Sequence, residues 1–282
     1  MISHRKLYAC AKINLTLHVL KKGLDNYHQI RSLVVFVDLY DELHIKRADE
    51  LTVKFSNNFD EQISLKNNTL IKVHTYLKSI FPKINNYSIN VIKNIPIAAG
   101  LGGGSADAAA FLRYILEDNN IDSNQIDFKK ISYAVGADIP VCFYNRPSFI
   151  AGIGELLTET SFNERFYLVL VNPKISISTK DIYKKYNEKS TRENLINVNL
   201  SLIDTIMNGK NDLEDIVISD FHIIKEIIQS INKTKGCMIA RMSGSGPTCY
   251  GIYKDEYDAR FNEAELKKQY PQYWIKMFNV LA

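Results

Sequence analysis

Cysteine is scarce in this chain, and what there is lies scattered. The four residues, Cys10, Cys142, Cys237 and Cys249, form no C-x-x-C pair, so neither a zinc knuckle nor a thioredoxin-type motif is indicated. Sparse thiols in a chain of 282 residues fit a reducing compartment. No apolar run approaches the roughly 18 residues of a membrane-spanning helix. The basic start (His4, Arg5, Lys6) runs into a stretch interrupted by Lys12, Asn14 and His18, which speaks against a secretory signal. A cytoplasmic protein with no membrane partner is the expectation. A large charge of one sign is also missing. The net charge of +4 is too small and dispersed for a nucleic-acid partner, yet it suits anionic phosphates. No cluster of His, Cys and carboxylates has transition-metal spacing, so no protein-held metal is expected. Repeats of fixed period and low-complexity linkers are absent.

What remains is ordinary globular material, 46% apolar and 23% charged, long enough for two cores. Residues 7–20 alternate as a strand, with Ile13, Leu15, Leu17 and Val19 on one parity. Residues 30–38, 42–48 and 51–55 read as further strands. Leu70, Val73, Leu77 and Ile80 follow helical spacing until Pro82. A strand over 87–92 precedes a helix near 106–117, which carries Ala108, Phe111, Leu112 and Ile115 on one face. Another helix, near 127–135, leads into Gly136-Ala137-Asp138-Ile139-Pro140. The second half opens with a strand at 148–150 and a turn at 152–154, then a strand over 166–171. Helical patterns follow at 179–186, 191–207 and 213–231. A strand-loop-strand over 237–253, a helix near 257–268 and a strand near 273–279 complete the chain. The Asn- and Lys-rich patches at 57–68 and 186–198 read as surface loops. Strands mixed with helices, without a strict βαβ repeat, predict an α+β fold. Two domains are expected, 1–155 and 156–282.

The most informative segment is Pro96-Ile97-Ala98-Ala99-Gly100-Leu101-Gly102-Gly103-Gly104-Ser105-Ala106. It joins a predicted strand to a predicted helix. Glycines allow positive φ and close backbone approach, and a helix start presents free N–H groups and a positive dipole end to phosphate. Ser105 adds a hydroxyl for a phosphate or a magnesium ion. A tight packing turn is the plain structural alternative. No lysine follows the glycines, which excludes a Walker A loop. A dinucleotide fingerprint would need glycine where Ser105 stands, and no acidic residue on a following strand supports one.

The loop resembles the second motif of the GHMP kinases, the superfamily of galactokinase, homoserine kinase and mevalonate kinase. Two more segments match in order: Ala11-Lys12-Ile13-Asn14-Leu15 is similar to the first motif, and Met242-Ser243-Gly244-Ser245-Gly246-Pro247-Thr248 to the third. The resemblance implies ATP as phosphate donor, with Mg2+ arriving on it. It implies an N-terminal domain like one found in a ribosomal protein, and a ferredoxin-like C-terminal domain. ATP contacts would come from Pro96, Ala98, Ala99, Gly100, Leu101, Gly102, Gly103, Gly104, Ser105 and Ala106. Finer features point to the branch whose substrate is a small alcohol carrying cytidine diphosphate. These are the triple glycine, Asn26-Tyr27-His28 followed by Arg31-Ser32-Leu33, Gly136–Val141, and Val171-Asn172-Pro173 followed by Ser178-Thr179 and Tyr183. Asn26 replaces the glycine usual there, and asparagine tolerates positive φ next best.

The same resemblance assigns roles. Asp138 becomes the base for the alcohol, and Lys12, if it faces Asp138, keeps that carboxylate charged. The plain alternatives are a turn cap before Pro140 and a solvated strand lysine. Tyr27 and Tyr183 would stack the cytosine, His28 would bond its edge, and Asn14 would hold a phosphate or hydroxyl. Against that, they are two of 16 tyrosines, a residue type common at half-buried surfaces. Ser243, Gly244, Ser245 and Gly246 would support the site, or simply turn between two strands. Rival functions are another GHMP kinase, acting on homoserine or mevalonate; a nicotinamide oxidoreductase using the glycine loop; and an RNA-binding module.

Overall fold

The computed structural model describes residues 4–24, 26–57, 64–162, 165–186 and 202–281. The sequence-derived loops at 57–68 and 186–198, and the start of the helical pattern at 191–207, fall at least partly outside them. The elements run β1 (Arg5–Asn14), β2 (His18–Lys22), β3 (His28–Ala48), β4 (Thr52–Asn57), α1 (Thr69–Ile80), β5 (Asn86–Lys93) and α2 (Gly103–Asp118). A 3-10 turn (Ser123–Gln125) precedes α3 (Phe128–Ala134), α4 (Ile139–Tyr144), β6 (Ser148–Gly152), β7 (Leu156–Glu159), β8 (Tyr167–Asn172) and α5 (Thr179–Lys185). The chain continues with α6 (Leu202–Asn208), α7 (Glu214–Asp220), α8 (His222–Asn232), β9 (Cys237–Met242), β10 (Cys249–Tyr253), α9 (Glu256–Gln269) and β11 (Trp274–Leu281). Strands and helices mix without a βαβ repeat, as an α+β fold requires. Among the described residues, no helix is long and apolar enough to cross a membrane.

The chain divides into two interleaved compact units. The first takes the described parts of Met1–Lys12, Leu39–Ile97 and Gly102–Asn145; the second takes Ile13–Asp38, Ala98–Leu101 and Arg146–Ala282. A cut at 155 falls inside the second unit, whose last segment begins at Arg146.

In the first unit, β5 pairs antiparallel with the second half of β3 (Glu42↔Ile92 to Ala48↔Asn86) and parallel with β4. Helix α1 starts where the Asn68 side chain accepts from Leu70 N at 2.9 Å, and it ends at Ile80, just before Pro82. Val73 and Leu77 of α1 are fully buried, as are Phe111, Leu112 and Ile115 of α2 and Tyr87 of β5. Burying each such apolar side chain is worth roughly 1.5–3 kcal/mol.

The second unit is built on antiparallel pairs. The first half of β3 takes β2 and β6, and β6 turns into β7. Residues 37 and 36 of β3 meet Val280 and Leu281 of β11, and β11, β8, β10 and β9 follow in that order. Leu168, Val169, Leu170 and Val171 on β8 are completely buried, with Ile224, Ile227 and Ile231 on α8.

Several boundaries differ from the sequence reading, each for a local reason. The stretch 7–20 is not one strand. Past Asn14 the backbone leaves its ladder because side chains take its hydrogen bonds: Leu33 N donates to Thr16 Oγ1 at 3.0 Å, and Ser32 Oγ donates to Thr16 O. Conversely, 30–38 and 42–48 belong to one strand of 21 residues. Its central acids need no turn, because backbone N–H groups satisfy them: Asn279 N donates to Asp38 at 2.7 Å, and Asn94 N and Ile95 N donate to Asp41 at 2.6 and 2.9 Å. The pattern at 213–231 is two helices broken at Phe221 (φ −133°, ψ 80°). Helix α4 was not anticipated, although proline is well tolerated in a first helical turn.

Candidate functional site

Each unit gathers part of the residues singled out from the sequence. In the first, Lys12 lies near the end of β1, and its Nζ sits 3.1 Å from Asp138 Oδ2. The lysine side chain is 7% exposed and that of Asp138 31%, so the buried cation meets a carboxylate that solvent still reaches. Asp138 is the N-cap residue of α4, yet its side chain makes no capping hydrogen bond. The carboxylate faces Lys12 instead of closing the turn.

The start of α2 explains its glycines. Gly102 is the N-cap, at φ +68°, and a Cβ there would stand 2.6 Å from Lys12 Cγ. The stem of Lys12 therefore crosses directly over Gly102 on its way to Asp138. At Gly103 an added Cβ would meet Ile95, with Lys93 Nζ at 3.4 Å; at Gly104 it would meet Thr69 Oγ1, which itself donates to Gly104 O at 2.7 Å. Ser105 Oγ lies 3.5 Å from the Cβ position of Gly136, next to Ala137 and Asp138. No side chain caps this helix and its first turn holds no acid, which leaves the positive end of the dipole for an anion. Ala106 N closes the first helical bond to Gly102 O at 2.8 Å, and Pro96 is buried.

Beneath this start lies a charge cluster that the sequence reading missed. Lys93 Nζ pairs with Asp41 Oδ2 and, at 2.8 Å, with Asp107 Oδ2. All three are nearly inaccessible, and Asp107 Oδ1 has no hydrogen-bond partner among the described residues. Burial, reinforced by neighbouring Asp41, pushes the Asp107 carboxyl up to about 7, with Lys93 opposing. Burial works against the charge on Lys93, but the two carboxylates win and raise its pKa. A signal was available: Asp107 sits one turn before Phe111 on the inward face of α2, where an unpaired acid would be costly.

In the second unit, the earlier part of the loop rests on the third motif. Gly100 holds φ +74°, and a Cβ there would collide with the carbonyls of Gly246 (2.6 Å) and Ser243 (2.7 Å). Ser243 Oγ donates to Gly100 O at 3.1 Å and accepts from Asn14 N at 3.2 Å, while Thr248 N donates to Ala99 O at 3.3 Å. Ala98 is exposed at φ +50°, a conformation that costs a non-glycine residue roughly 1–2 kcal/mol. Leu101 is buried. Asn14 is buried too; its Nδ2 donates to Ser32 Oγ at 2.8 Å, and its Oδ1 lies 3.2 Å from where Gly244 would carry a Cβ. Ser245 Oγ shares a 2.7 Å hydrogen bond with Thr179 Oγ1, at the first residue of α5.

One turn further along α5, Tyr183 places its ring 5.9 Å from that of His28, and Tyr186 meets His28 edge-on at 5.5 Å. His28 Nδ1 is 3.1 Å from Leu20 O, and Tyr186 OH donates to Val19 O at 2.9 Å. His28 Nε2 is buried without a hydrogen-bond partner among the described residues. Tyr27 is half exposed, and Asn26 takes positive φ (64°). The geometry thus joins Lys12 with Asp138, Asn14 with Ser243 and Gly244, Gly100 with Ser243 and Gly246, and His28 with Tyr183. Ser32 and Thr179 entered the sequence reading only as members of resembling segments, whereas Thr16 and Asn211, whose Nδ2 donates to Gly244 O at 2.7 Å, escaped notice because each is a lone polar residue with no motif spacing. No group of three or more His, Cys, Asp or Glu among the described residues could hold a metal ion.

Comparison with known proteins gives these features a family. Residues 68–146 match the model of the GHMP kinases N terminal domain, and residues 191–272 match GHMP kinases C terminal. A 4-diphosphocytidyl-2-C-methyl-D-erythritol kinase from Paramagnetospirillum magneticum is 32% identical over 278 residues, covering 97% of this chain and 98% of its own. Its namesake from Wolbachia sp. subsp. Drosophila simulans is 36% identical over 277 residues, 95% of each chain. A crystal structure of a 4-(cytidine 5'-diphospho)-2C-methyl-D-erythritol kinase superposes with a TM-score of 0.77 at 23% identity, over 99% of this chain and 100% of that one. Homoserine kinase from Cytophaga hutchinsonii shares the fold at TM-score 0.65 and 15% identity, over 100% of this chain and 96% of its own. The chain belongs to the GHMP kinases and, within them, to the family of the 4-diphosphocytidyl-2-C-methyl-D-erythritol kinases.

Proposed function

We propose that this protein transfers the γ-phosphate of ATP to the 2-hydroxyl of 4-diphosphocytidyl-2-C-methyl-D-erythritol, giving the 2-phosphate and ADP, as a cytoplasmic step toward isoprenoid precursors. The substrate follows from relatives that are 32–36% identical over nearly the full chain. The observation that carries the chemistry is the Lys12–Asp138 pair at 3.1 Å, with the lysine stem lying across Gly102 at the head of α2.

Asp138 accepts the proton of the substrate hydroxyl. The freed oxygen forms its bond to the γ-phosphorus as the bond to the β,γ-bridging oxygen breaks, and ADP departs with that electron pair. Lys12 orients the carboxylate through their 3.1 Å contact and adds positive charge near the oxygen that loses its proton. The residues from Pro96 to Ala106 cradle the phosphates: Gly100, Gly102 and Gly103 let the third-motif carbonyls, the Lys12 stem and Ile95 pack against the loop and fix its path, and the uncapped start of α2 offers N–H groups. Ser105 is the residue we assign to Mg2+, which neutralises phosphate charge when bound with ATP. On the recognition side, Tyr27 and Tyr183 stack the cytosine, the Nε2 of His28, unpartnered among the described residues, bonds its edge, and Asn14 holds a polar group of the substrate. Ser243, Gly244, Ser245 and Gly246 keep the loop and Asn14 in place.

The test is ADP release with ATP and Mg2+ on the cytidyl compound, homoserine and mevalonate in parallel. Turnover on the cytidyl compound alone is expected. Turnover on homoserine or mevalonate instead would keep the kinase and discard the base-stacking pocket. Absence of turnover on all three would overturn the proposal.

A further inference from the structure

Helix α4 is too short to hold itself. It has six residues, whereas isolated helices of fewer than roughly 12–15 residues are marginal in water. Asp138 is its N-cap residue, so whatever fixes this helix fixes the carboxylate. Its C-terminal end needs partners from outside the helix, because the last four carbonyls of an α-helix lack an intrahelical donor. One of these, Val141 O, accepts from Asn145 N at 2.9 Å. The next two, Cys142 O and Phe143 O, both accept from Arg113 Nη1 at 2.7 Å.

Arg113 belongs to α2, ten residues beyond Gly103, or about 15 Å along the helix at 1.5 Å per residue. Its cation stands at the negative end of the α4 dipole, where a positive charge is favourable. It has no ion pair among the described residues, so the carbonyls are its hydrogen-bonding partners. Beside it, Asn145 caps α4 at φ 52° and sets its Nδ2 3.9 Å from Cys10 Sγ. Cys10 lies two residues before Lys12 on β1. Helix α4 is therefore tied to β1 at both ends, by Asp138 to Lys12 and by Asn145 to Cys10, and to α2 by Arg113.

We propose that Arg113 is a positioning residue for phosphoryl transfer: it grips the C-terminal carbonyls of α4 and thereby sets Asp138 against Lys12. One helix, α2, then fixes both the phosphate-binding turn at its start and the carboxylate through Arg113. The proposal rests on the reading of Asp138 as the base.

The experiment is a double-mutant cycle of R113M with D138N on the full chain, with steady-state kinetics on ATP and the cytidyl alcohol. R113M is expected to lower kcat by about 10- to 100-fold, the scale of an ångström-sized misplacement, with both KM values held within about twofold. R113K keeps a charged donor and recovers most of the loss. In the D138N background R113M should cost nothing further, because a residue acting through Asp138 has nothing left to position. Hydrogen exchange should speed up over residues 139–145 in R113M, with α2 unchanged. Equal losses in both backgrounds, or unchanged exchange over 139–145, would overturn the proposal and leave the base reading standing. D138N with full turnover would overturn both. Should R113M fail to fold, R113Q carries the same cycle.

Discussion

The polar groups gathered by the two units are of different kinds. In the first unit, those around the start of α2 are charged: Lys12 with Asp138, and Lys93 between Asp41 and Asp107. In the second, the glycine turns are held mostly by neutral groups, the hydroxyls of Ser32, Ser243, Ser245 and Thr179 and the amides of Asn14 and Asn211, with one carboxylate, Glu214, accepting from Met242 N at 2.8 Å. Beside them stand the rings of His28, Tyr183 and Tyr186. Buried charge is costly to keep and stronger to lose, whereas a neutral hydrogen bond contributes about 1 kcal/mol net. Under the proposed function, the contrast gives chemistry and charge control to the first unit, and shape and recognition to the second.

The sharpest way to break this contrast is Asp138→Asn. It keeps the size of the side chain and removes the carboxylate proposed as the base. General-base assistance is worth about 10²–10⁴-fold, and kcat is expected to fall by that factor while the melting temperature holds. Turnover within about threefold of the parent would take Asp138 out of the role, and the charged half would lose its chemical purpose.

Next in size is a stability comparison. Lys93→Met leaves two buried carboxylates facing each other, and breaking such a cluster costs about 3–5 kcal/mol. Ser243→Ala removes the hydroxyl that bridges Asn14 N and Gly100 O, for about 1–3 kcal/mol. Urea midpoints for the two variants decide it. Equal losses would mean that the neutral half is as dependent on its polar contacts as the charged half.

Recognition should fail more gently. Tyr27→Ala removes a ring proposed to stack on the cytosine, a contact worth about 1–3 kcal/mol, so the KM for the cytidyl alcohol should rise while kcat changes little. Tyr183→Ala should behave alike. A fall in kcat at constant KM would move these rings out of the binding role.

Most of the strands and helices were legible because periodicity and turn residues agree along this chain. Helix α1 with its stop before Pro82, and the strand-loop-strand at 237–253, are examples. What escaped was decided by contacts remote in sequence. Nothing near Thr16 announces that Ser32 and Leu33 will take its hydrogen bonds, and nothing near Asp38 announces Asn279. The site was legible where glycines carry it: Gly100 and Gly102 are each demanded by a specific neighbour, the third-motif carbonyls and the Lys12 stem. Periodicity alone could not show Lys93 with its two acids, or Arg113 at the end of α4, since neither has spacing that marks it. Their partners lie on other elements, brought there by packing.

The smallest effect separates the three members of the buried cluster. Two carboxylates and one ammonium leave one anion in excess, and Asp107 carries the strain: burial, then Asp41, lift its carboxyl to about 7 against the pull of Lys93. An acid whose pKa is higher folded than unfolded binds more protons in the native state between the two values. Stability from this group is therefore greatest below about pH 4 and falls as the pH rises toward 7. Lys93 behaves in the opposite sense to an unpaired buried amine. Its raised pKa gives stability that is complete below its ordinary value of 10.5 and lost only above the folded one. Asp107→Asn removes the acid slope and leaves Lys93 paired with Asp41. Urea midpoints taken from pH 4 to 8 should then decline less for the variant than for the parent, and at pH 8 the variant should be at least as stable. If the two midpoints run parallel across that window, Asp107 is ionised throughout, and the attraction of Lys93 outweighs the cost of burying a second carboxylate beside it.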